Sequence, residues 1–217
     1  MADVTLNPIT IVVLLIALSL APFVILLISS FVKMVIVMNL VRNALGVQQV
    51  PPNMVLNGLA IMLSIYVMFP VVNEIGVLSA NIKLEFDSLE KIKSVASTLQ
   101  VPIQRFLKKH SSEKHKAFFM KTARKLWPLE DAEKLQSDDL LVLIPAFTVT
   151  ELTEAFQIGF LLYLPFIAVD LIVSNILLAL GMMMVSPMTI SLPFKLMLFV
   201  IVDGWSRLIH GLVLTYR

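Results

Sequence analysis

Three long stretches of this chain contain no charged side chain, and they constrain its fold more than any other feature. No Asp, Glu, Lys or Arg occurs in residues 4–32, 43–73 or 171–194. A helix needs about 20 mostly apolar residues to cross the hydrocarbon core of a bilayer, and each stretch is longer than that. Only 15% of the residues are charged, against roughly 25% in soluble domains. The sequence therefore predicts a polytopic membrane protein.

The first two hydrophobic segments are bounded by glycine and proline. Segment one is predicted over residues 8–45, with a kink near Pro22 because a straight helix of that length would exceed the bilayer. Gly46 is expected to end it as a helix C-cap. The prolines at 51–52 suit the first turn of segment two, which is predicted to end at 70–73.

The last two segments are bounded by a capping pattern and by further glycine and proline. Segment three is predicted to open with Thr148 and Glu151, a Thr followed three residues later by Glu, which is typical of a capping box. Gly181 should end it, and segment four should run from Pro193 to Tyr216. No β-alternation is present, so the chain is predicted to be all-α with four long membrane helices.

Between segments two and three lies the charged part of the chain. Residues 80–139 hold 21 of the 32 charged side chains, and apolar residues recur there at helical spacing. We expect a small helical extracytoplasmic insert whose aromatic side chains cover one another. These are Phe106, Phe118, Phe119 and Trp127. The predicted organisation is an N-terminal hydrophobic part (1–73), the insert (74–139) and a C-terminal hydrophobic part (140–217).

The basic residues beside the short joints predict the orientation. Lys33 and Arg42 lie toward the joint between segments one and two, and Lys195 follows the joint between segments three and four. This places both joints in the cytoplasm, and the insert and both termini outside. The 12 basic residues of the insert favour the opposite orientation if that region counts as a short loop.

Eight ionisable residues lie within or beside apolar runs, where a charge is costly unless it is paired or hydrated. They are Lys33, Arg42, Glu151, Glu154, Asp170, Lys195, Asp203 and Arg207. Asp203 and Arg207 are four residues apart and could pair within one helix. Lys33 and Asp170 have no opposite charge within one turn, so their partners must lie on other helices or other chains. Each contact could be a structural bond between helices, or part of a proton- or substrate-linked site.

Nothing in the sequence indicates catalysis or a cofactor. The absence of cysteine excludes disulfides, thiolate catalysis and cysteine-based metal sites. No phosphate-binding loop, nucleophile elbow or HExxH motif occurs. His110 and His115 are five residues apart, on different faces of a helix, which argues against a metal site. We therefore predict no catalytic residue, no metal and no cofactor.

Residues 181–188, GMMMVSPM, place four methionines between segments three and four. These are Met182, Met183, Met184 and Met188. Methionine is unbranched and adapts to irregular surfaces. Two interpretations remain open: the side chains fill a core at the helix end, or they form a deformable seal around whatever the joint encloses.

Three stretches carry a family resemblance. PAFTVTELTEAFQIGF (145–160) and PFKLMLFVIVDGW (193–205) resemble the two signature stretches of the FliP/SctR family of type III export apparatus proteins. VRNALGVQQVPPNMVLNGLAI (41–61) is similar to the same family's joint between segments one and two. The resemblance covers essentially the whole chain, and QQVPPNM looks closer to the SctR subunits of virulence injectisomes than to the flagellar subunits.

The resemblance implies a non-enzymatic export-gate subunit of the bacterial inner membrane. Family members form a five-membered assembly with SctS- and SctT-like subunits, in which the hydrophobic helices form hairpins. The implied further partners are SctU- and SctV-like components, rod or needle proteins, secreted effectors and membrane lipid, with no nucleic acid. The family's methionine loop is thought to act as a pore gasket, a role that falls here on Met182, Met183 and Met184, and on Met188.

Two other functions remain possible from the sequence. One is a flagellar FliP protein with the same mechanism. The other is a small-solute or ion transporter in which Asp170 and Lys195 bind substrate, although the two halves of the chain show none of the internal repeats that transporters usually have. The insert could pack between copies or against an outer rod, or simply present a solvated face.

Overall fold

The computed structural model describes residues 8–47, 49–81 and 89–217, and within these ranges all regular secondary structure is helical. In chain order the helices are α1 (Pro8–Ile28), α2 (Phe31–Ala44), α3 (Asn53–Asn81), α4 (Leu89–His110), α5 (Glu113–Leu126), α6 (Leu129–Lys134), α7 (Leu140–Ala179), α8 (Pro187–Ile201) and α9 (Gly204–Leu214). The predicted all-helical fold is confirmed.

The number of membrane spans depends on how two bent helix pairs are counted. α3 and α7 are each long and apolar enough to cross a membrane. The pairs α1–α2 and α8–α9 also qualify if each bent pair is one span. The described part of the chain thus has two to four candidate spans, where the sequence predicted four.

The first hydrophobic segment bends at two serines rather than at proline. α1 continues through Pro22, and the chain turns by 70° between α1 and α2. The Ser29 hydroxyl donates to a carbonyl in the last turn of α1, and the Ser30 hydroxyl donates to that of Ser64 on α3 at 3.2 Å. Serine side chains compete with the helix for backbone hydrogen bonds in this way. The predicted kink near Pro22 is wrong by about two helical turns.

Two other predicted helix boundaries are also wrong. α3 runs through Pro70 to Asn81, and apolar membrane helices tolerate an internal proline. α7 begins at Leu140, so Thr148 lies inside the helix and its hydroxyl donates to the Ile144 carbonyl at 2.9 Å. The capping-box pattern therefore marks no helix start here.

The last hydrophobic segment starts earlier than predicted and is interrupted. α8 begins at Pro187, six residues before Pro193, and the chain bends by 61° between α8 and α9. Asp203 sits at this bend with φ of +52°, in the left-handed region. The next residue is Gly204, where a Cβ would lie 2.3 Å from the Phe199 ring. Glycine therefore allows the two helices to meet at this angle.

α2 lies at the centre of the larger hydrophobic core. Met34, Val37, Met38 and Val41 are buried against α3, α7 and the C-terminal helices. The helix ends before Gly46, whose φ of +79° confirms the predicted C-cap. Because α2 is buried on most of its surface, any polar group on it needs a partner from a neighbouring helix.

The closest approach of α2 to α7 depends on a glycine. A Cβ at Gly159 would lie 2.2 Å from Cδ1 of Leu40 and 3.1 Å from its Cβ. A change of leucine rotamer would move Cδ1 but not Cβ, so the helix backbones would have to separate. α2 and α7 can pack at this distance only because residue 159 lacks a side chain.

Gly159→Ala should lower the free energy of unfolding by about 1–3 kcal/mol, the usual cost of overpacking. Thermal unfolding of the purified protein in detergent measures this. The matched control is Gly76→Ala on α3, where nothing lies within 4 Å; alanine should leave the stability unchanged or raise it by up to about 1 kcal/mol. Leu40→Ala should restore part of the Gly159→Ala loss. Equal stability of the two glycine variants would contradict the close packing.

In its described residues after α3, the charged insert forms α4, α5 and α6, which lie beside the first part of α7. α4 and α5 both pack against α7, and α6 packs against α5. The helical nature of the insert was predicted correctly. The predicted division at residues 73–74 falls inside α3, and the one at 139–140 coincides with the start of α7.

The aromatic side chains of the insert form two groups instead of one. Phe106 packs on Phe147 of α7, with ring centroids 5.6 Å apart. Phe118 and Phe119 make an edge contact at 5.1 Å, and Phe119 and Trp127 line the same small pocket between α5 and α7. The expectation that all four aromatic residues cover one another is therefore wrong for Phe106, which belongs to the core on α7.

Candidate functional site

The methionine joint, residues 181–188, connects α7 to α8 through a glycine-terminated helix end. Gly181 has φ of +73°, and the Met182 N–H donates to the Leu177 carbonyl at 2.9 Å. This is the hydrogen bond of a Schellman motif, and it ends α7 at the predicted glycine. Pro187 then opens α8. The joint is a defined turn between two helices.

All four methionine side chains of the joint are exposed. The exposed fraction is 43% for Met182, 82% for Met183, 101% for Met184 and 57% for Met188. Within one chain they do not fill a core between α7 and α8, so the first of the two interpretations does not hold for the single subunit. The second, a deformable seal, stays a prediction.

An ion pair between a buried lysine and a partly exposed aspartate fixes the base of this hairpin. The Lys195 ammonium lies 2.6 Å from Oδ2 of Asp170 and donates to the Ala44 carbonyl at 3.1 Å. The Ser191 hydroxyl donates to Oδ1 of Asp170 at 2.6 Å. Because Ala44 is the last residue of α2, one ammonium joins α2, α7 and α8 and satisfies a carbonyl at a helix end.

The structure thus brings Asp170 and Lys195 together within one chain. Sequence reasoning missed Ser191 and the Ala44 carbonyl. Ser191 is four residues before Lys195, so both lie on one face of α8, and that spacing could have indicated a shared partner. The role of the Ala44 carbonyl could not be predicted from the sequence, because every residue has a backbone carbonyl.

A second charged cluster holds α2 to α7. Lys33 is 1% exposed, and its ammonium lies 2.9 Å from Oε1 of Glu151 and donates to Oε2 of Glu154 at 2.8 Å. Glu151 is also 1% exposed, whereas 45% of the Glu154 side chain is exposed. The two acids are three residues apart on α7 and therefore lie on one face. One ammonium therefore bridges two carboxyl groups, one buried and one at the exposed edge of the cluster.

Tyr216 and His110 complete this cluster, and sequence reasoning missed both roles. The Tyr216 hydroxyl donates to Oε2 of Glu151, and its ring lies 4.3 Å from the Lys33 ammonium. His110 packs against the Tyr216 ring at 5.2 Å between centroids. Burial lowers the pKa of His110 to about 4, and the charges of Lys109 and Lys33 act in the same direction. The imidazole is therefore neutral at pH 7 and serves as a packing group.

Arg42 ties the joint between α2 and α3. Its guanidinium donates to the Asn53 side-chain oxygen at 2.5 Å, to the Pro51 carbonyl at 3.2 Å and to the Asn39 side-chain oxygen at 2.9 Å. These contacts give Arg42 a structural role in the turn that joins the first two hydrophobic segments.

Asp203 and Arg207 do not form the predicted pair within a helix. Asp203 lies outside α9, at the bend, where its carboxylate accepts from the Ser206 hydroxyl at 2.9 Å. The Arg207 N–H donates to the Asp203 carbonyl at 3.1 Å, which starts α9. The spacing of four residues is real, but the left-handed backbone at Asp203 turns its side chain to the first turn of the helix.

Metal ligation has no support in the described residues, among which no three His, Asp or Glu side chains form a cluster that could hold an ion. The groove beside Asp170, between α7 and α8, is lined by apolar side chains such as Val173, Ile176 and Phe194. The polar groups near this groove bind one another, so the region resembles a helix-packing site more than a pocket for a polar small molecule.

Comparison with known proteins places nearly the whole chain in one group. The sequence profile of the FliP family matches residues 14–212. The chain is 53% identical over 211 residues to the Yop proteins translocation protein R of Yersinia pestis, with 97% of each chain covered. It is 51% identical over 211 residues to the hypersensitivity response secretion protein HrcR of Ralstonia nicotianae, covering 96% of this chain and 97% of the relative. It is 45% identical over 218 residues to the virulence protein YscR of Salmonella typhimurium, with 97% of each covered.

Proposed function

This chain belongs to the FliP family and is a subunit of a bacterial type III secretion export apparatus, and we propose that it lines the channel through which unfolded proteins cross the inner membrane, with the methionine joint as its seal. Relatives named for virulence and for hypersensitivity secretion favour an injectisome over a flagellum as its setting.

The observation that carries the proposal is the exposure of Met183 and Met184 on a fixed base. More than four fifths of each side chain is exposed, yet the hairpin that carries them is held by the ion pair of the buried Lys195 with Asp170. A seal needs this combination: flexible side chains that can adapt to different polypeptides, and a backbone whose position is fixed. Flexible thioethers meet the first requirement better than β-branched side chains.

A ring of copies would bring the joints together around one axis. We propose a homo-oligomer, a pentamer by family resemblance, completed by SctS- and SctT-like subunits. It would work with SctU- and SctV-like components, rod or needle proteins and effectors. Both joints would face the cytoplasm and the insert the periplasm. In this assembly the chain lines the export channel and seals it, and it catalyses no reaction.

A small-solute transporter is disfavoured by the contacts of the two residues it would need. Asp170 accepts from both Lys195 and Ser191, and the groove beside the pair is apolar. A substrate would have to break this ion pair without a polar pocket to receive it.

Met183→Cys tests the seal directly, because the chain has no cysteine of its own. The variant is expressed with its partner subunits, oxidised, and analysed for disulfide-linked dimers by non-reducing electrophoresis. We expect efficient dimer formation, since the joints of neighbouring copies would meet at the axis. The matched control is Leu161→Cys on α7, which is 65% exposed but lies about 27 Å before the end of that helix, and it should cross-link at least severalfold less.

An intact complex, shown by native electrophoresis, that forms no dimer through Cys at position 183 would rule out the methionine seal. Membership of the export apparatus would stand, because it depends on the family comparison and not on the joint.

A further inference from the structure

The outward face of α5 carries a basic stripe. Its members are exposed and recur three or four residues apart, which places them on one face of the helix. They are Lys114, Phe118, Lys121, Arg124 and Lys125. The opposite face, with Lys116 and Ala123, is buried where α5 packs on α7. The stripe therefore faces away from the rest of the chain.

The charges of the stripe lack a compensating acid in the part of the chain that the structure describes. Its four cations form no ion pair with any residue of the ranges that the structure describes. Glu113, at the edge of the stripe, is bound to the buried ammonium of Lys116 at 2.6 Å. Phe118 adds an exposed ring among the cations, with 58% of its side chain exposed. Such a surface matches a partner that is acidic and has one apolar contact to offer.

α6 presents a surface of that kind, which we call the acidic patch. It consists of Glu130, Asp131 and Glu133, all exposed, beside Leu129, which is 76% exposed. These acids also form no ion pair within the described residues. Lys134 ends the same helix, so its three acids and one lysine leave a net negative surface beside one large exposed apolar side chain, complementary to the stripe in charge and in apolar contact.

The direction of α5 argues against a lipid surface as the partner of the stripe. His115, near the start of α5, contacts Thr150 at 2.8 Å, whereas Leu126, at its end, shares a pocket with Leu141. α5 therefore runs antiparallel along α7, a candidate membrane span. A basic helix that binds a membrane surface lies in the plane of the bilayer, so a stripe parallel to a spanning helix instead faces sideways, toward a neighbouring protein.

We propose that the basic stripe of one copy docks on the acidic patch of the next copy. Because the two surfaces differ, the contact is head-to-tail, and repetition of such a contact closes a ring or builds a helical turn. This inference rests on the homo-oligomer proposed above and assigns the insert the role of setting the order and direction of the copies.

The test uses two single-cysteine chains. Phe118→Cys with one affinity tag and Leu129→Cys with another are co-expressed with the partner subunits and oxidised. A disulfide between the two differently tagged chains is expected, and each variant alone should give at least about tenfold less dimer, since a head-to-tail contact never pairs a position with itself. Dimers of one variant alone, or no disulfide in an intact complex, would overturn the proposal.

A charge swap gives an independent measure. Lys121→Glu with Arg124→Glu, introduced into both chains, should reduce the disulfide between positions 118 and 129 about tenfold or more, because like charges then face each other. Adding Glu130→Lys and Asp131→Lys to both chains should restore most of it. The control is Lys109→Glu on α4, a charge reversal at an exposed lysine outside the stripe, with little expected effect. If the swap fails to restore the disulfide, the partner of the stripe is not the acidic patch.

These results are separable from the test of the methionine seal. A complex that cross-links through Cys at position 183 but not between 118 and 129 would keep the channel and overturn the docking. The reverse pattern would keep the docking and remove the seal.

Discussion

Lys33→Met should destabilise the chain by about 3–5 kcal/mol, the usual cost of removing one partner from a buried ion pair. The ammonium is 1% exposed and contacts both Glu151 and Glu154. Without it, the Glu151 carboxylate stays buried with only the Tyr216 hydroxyl as a donor. α2 would also lose its polar attachment to α7, next to the bend at Ser30. Unfolding of the purified protein in detergent, followed by circular dichroism, measures the loss.

The two acids of this cluster should differ in their effect. Glu154→Gln should cost less than about 1 kcal/mol, because the exposed half of its side chain is screened by solvent. Lys33→Met combined with Glu151→Gln should be clearly more stable than Lys33→Met alone, since the buried charge that lacked a partner is then removed. If the double variant is no better than the single one, the loss comes from packing around Lys33 and not from its charge.

The need for distant partners was visible in the sequence, but their identity was not. Lys33 and Asp170 lack an opposite charge within one turn, which required contacts between helices or between chains. The structure places the partners of both within the same chain. The partner of Asp170 is 25 residues away in sequence, and the two partners of Lys33 are 118 and 121 residues away. The fit between side chains of two helices, as at Gly159 and Leu40, decides which helices pack together. The pattern of residues along one helix does not show which helix it packs against.

The helical segments were predictable from apolar length, whereas their breaks were not. Proline was expected to mark the bend in segment one, but that bend lies at Ser29–Ser30. Segment four bends at Asp203, which was not predicted. Proline in an apolar helix removes one hydrogen bond that neighbours can replace. A serine or aspartate side chain offers the backbone another partner and can end a helix without any apolar or proline signal. Gly46 and Gly181 were correct because positive φ is a local demand that favours glycine.

Lys195→Met should cost about 1–3 kcal/mol, less than Lys33→Met, because 31% of the Asp170 side chain is exposed and solvent screens the carboxylate that loses its partner. It tests a different part of the molecule. The substitution leaves Asp170 with the Ser191 hydroxyl alone and leaves the Ala44 carbonyl at the end of α2 without its donor. Two losses therefore combine: an unpaired carboxylate and a weakened junction of α2, α7 and α8. The matched control is Arg105→Gln, which breaks an exposed pair with Glu74 at 3.0 Å and should cost at most about 1 kcal/mol.

A double-mutant cycle separates the ion pair from the junction. Asp170→Asn alone, Lys195→Met alone and both together should show a coupling energy of up to about 3 kcal/mol, with the double variant more stable than the sum of the single losses predicts. Because the junction lies under the methionine joint, Lys195→Met should also reduce the cross-linking of Met183→Cys between copies, whereas Arg105→Gln should not. Strictly additive losses with unchanged cross-linking would show that the pair neither stabilises the hairpin nor positions the joint.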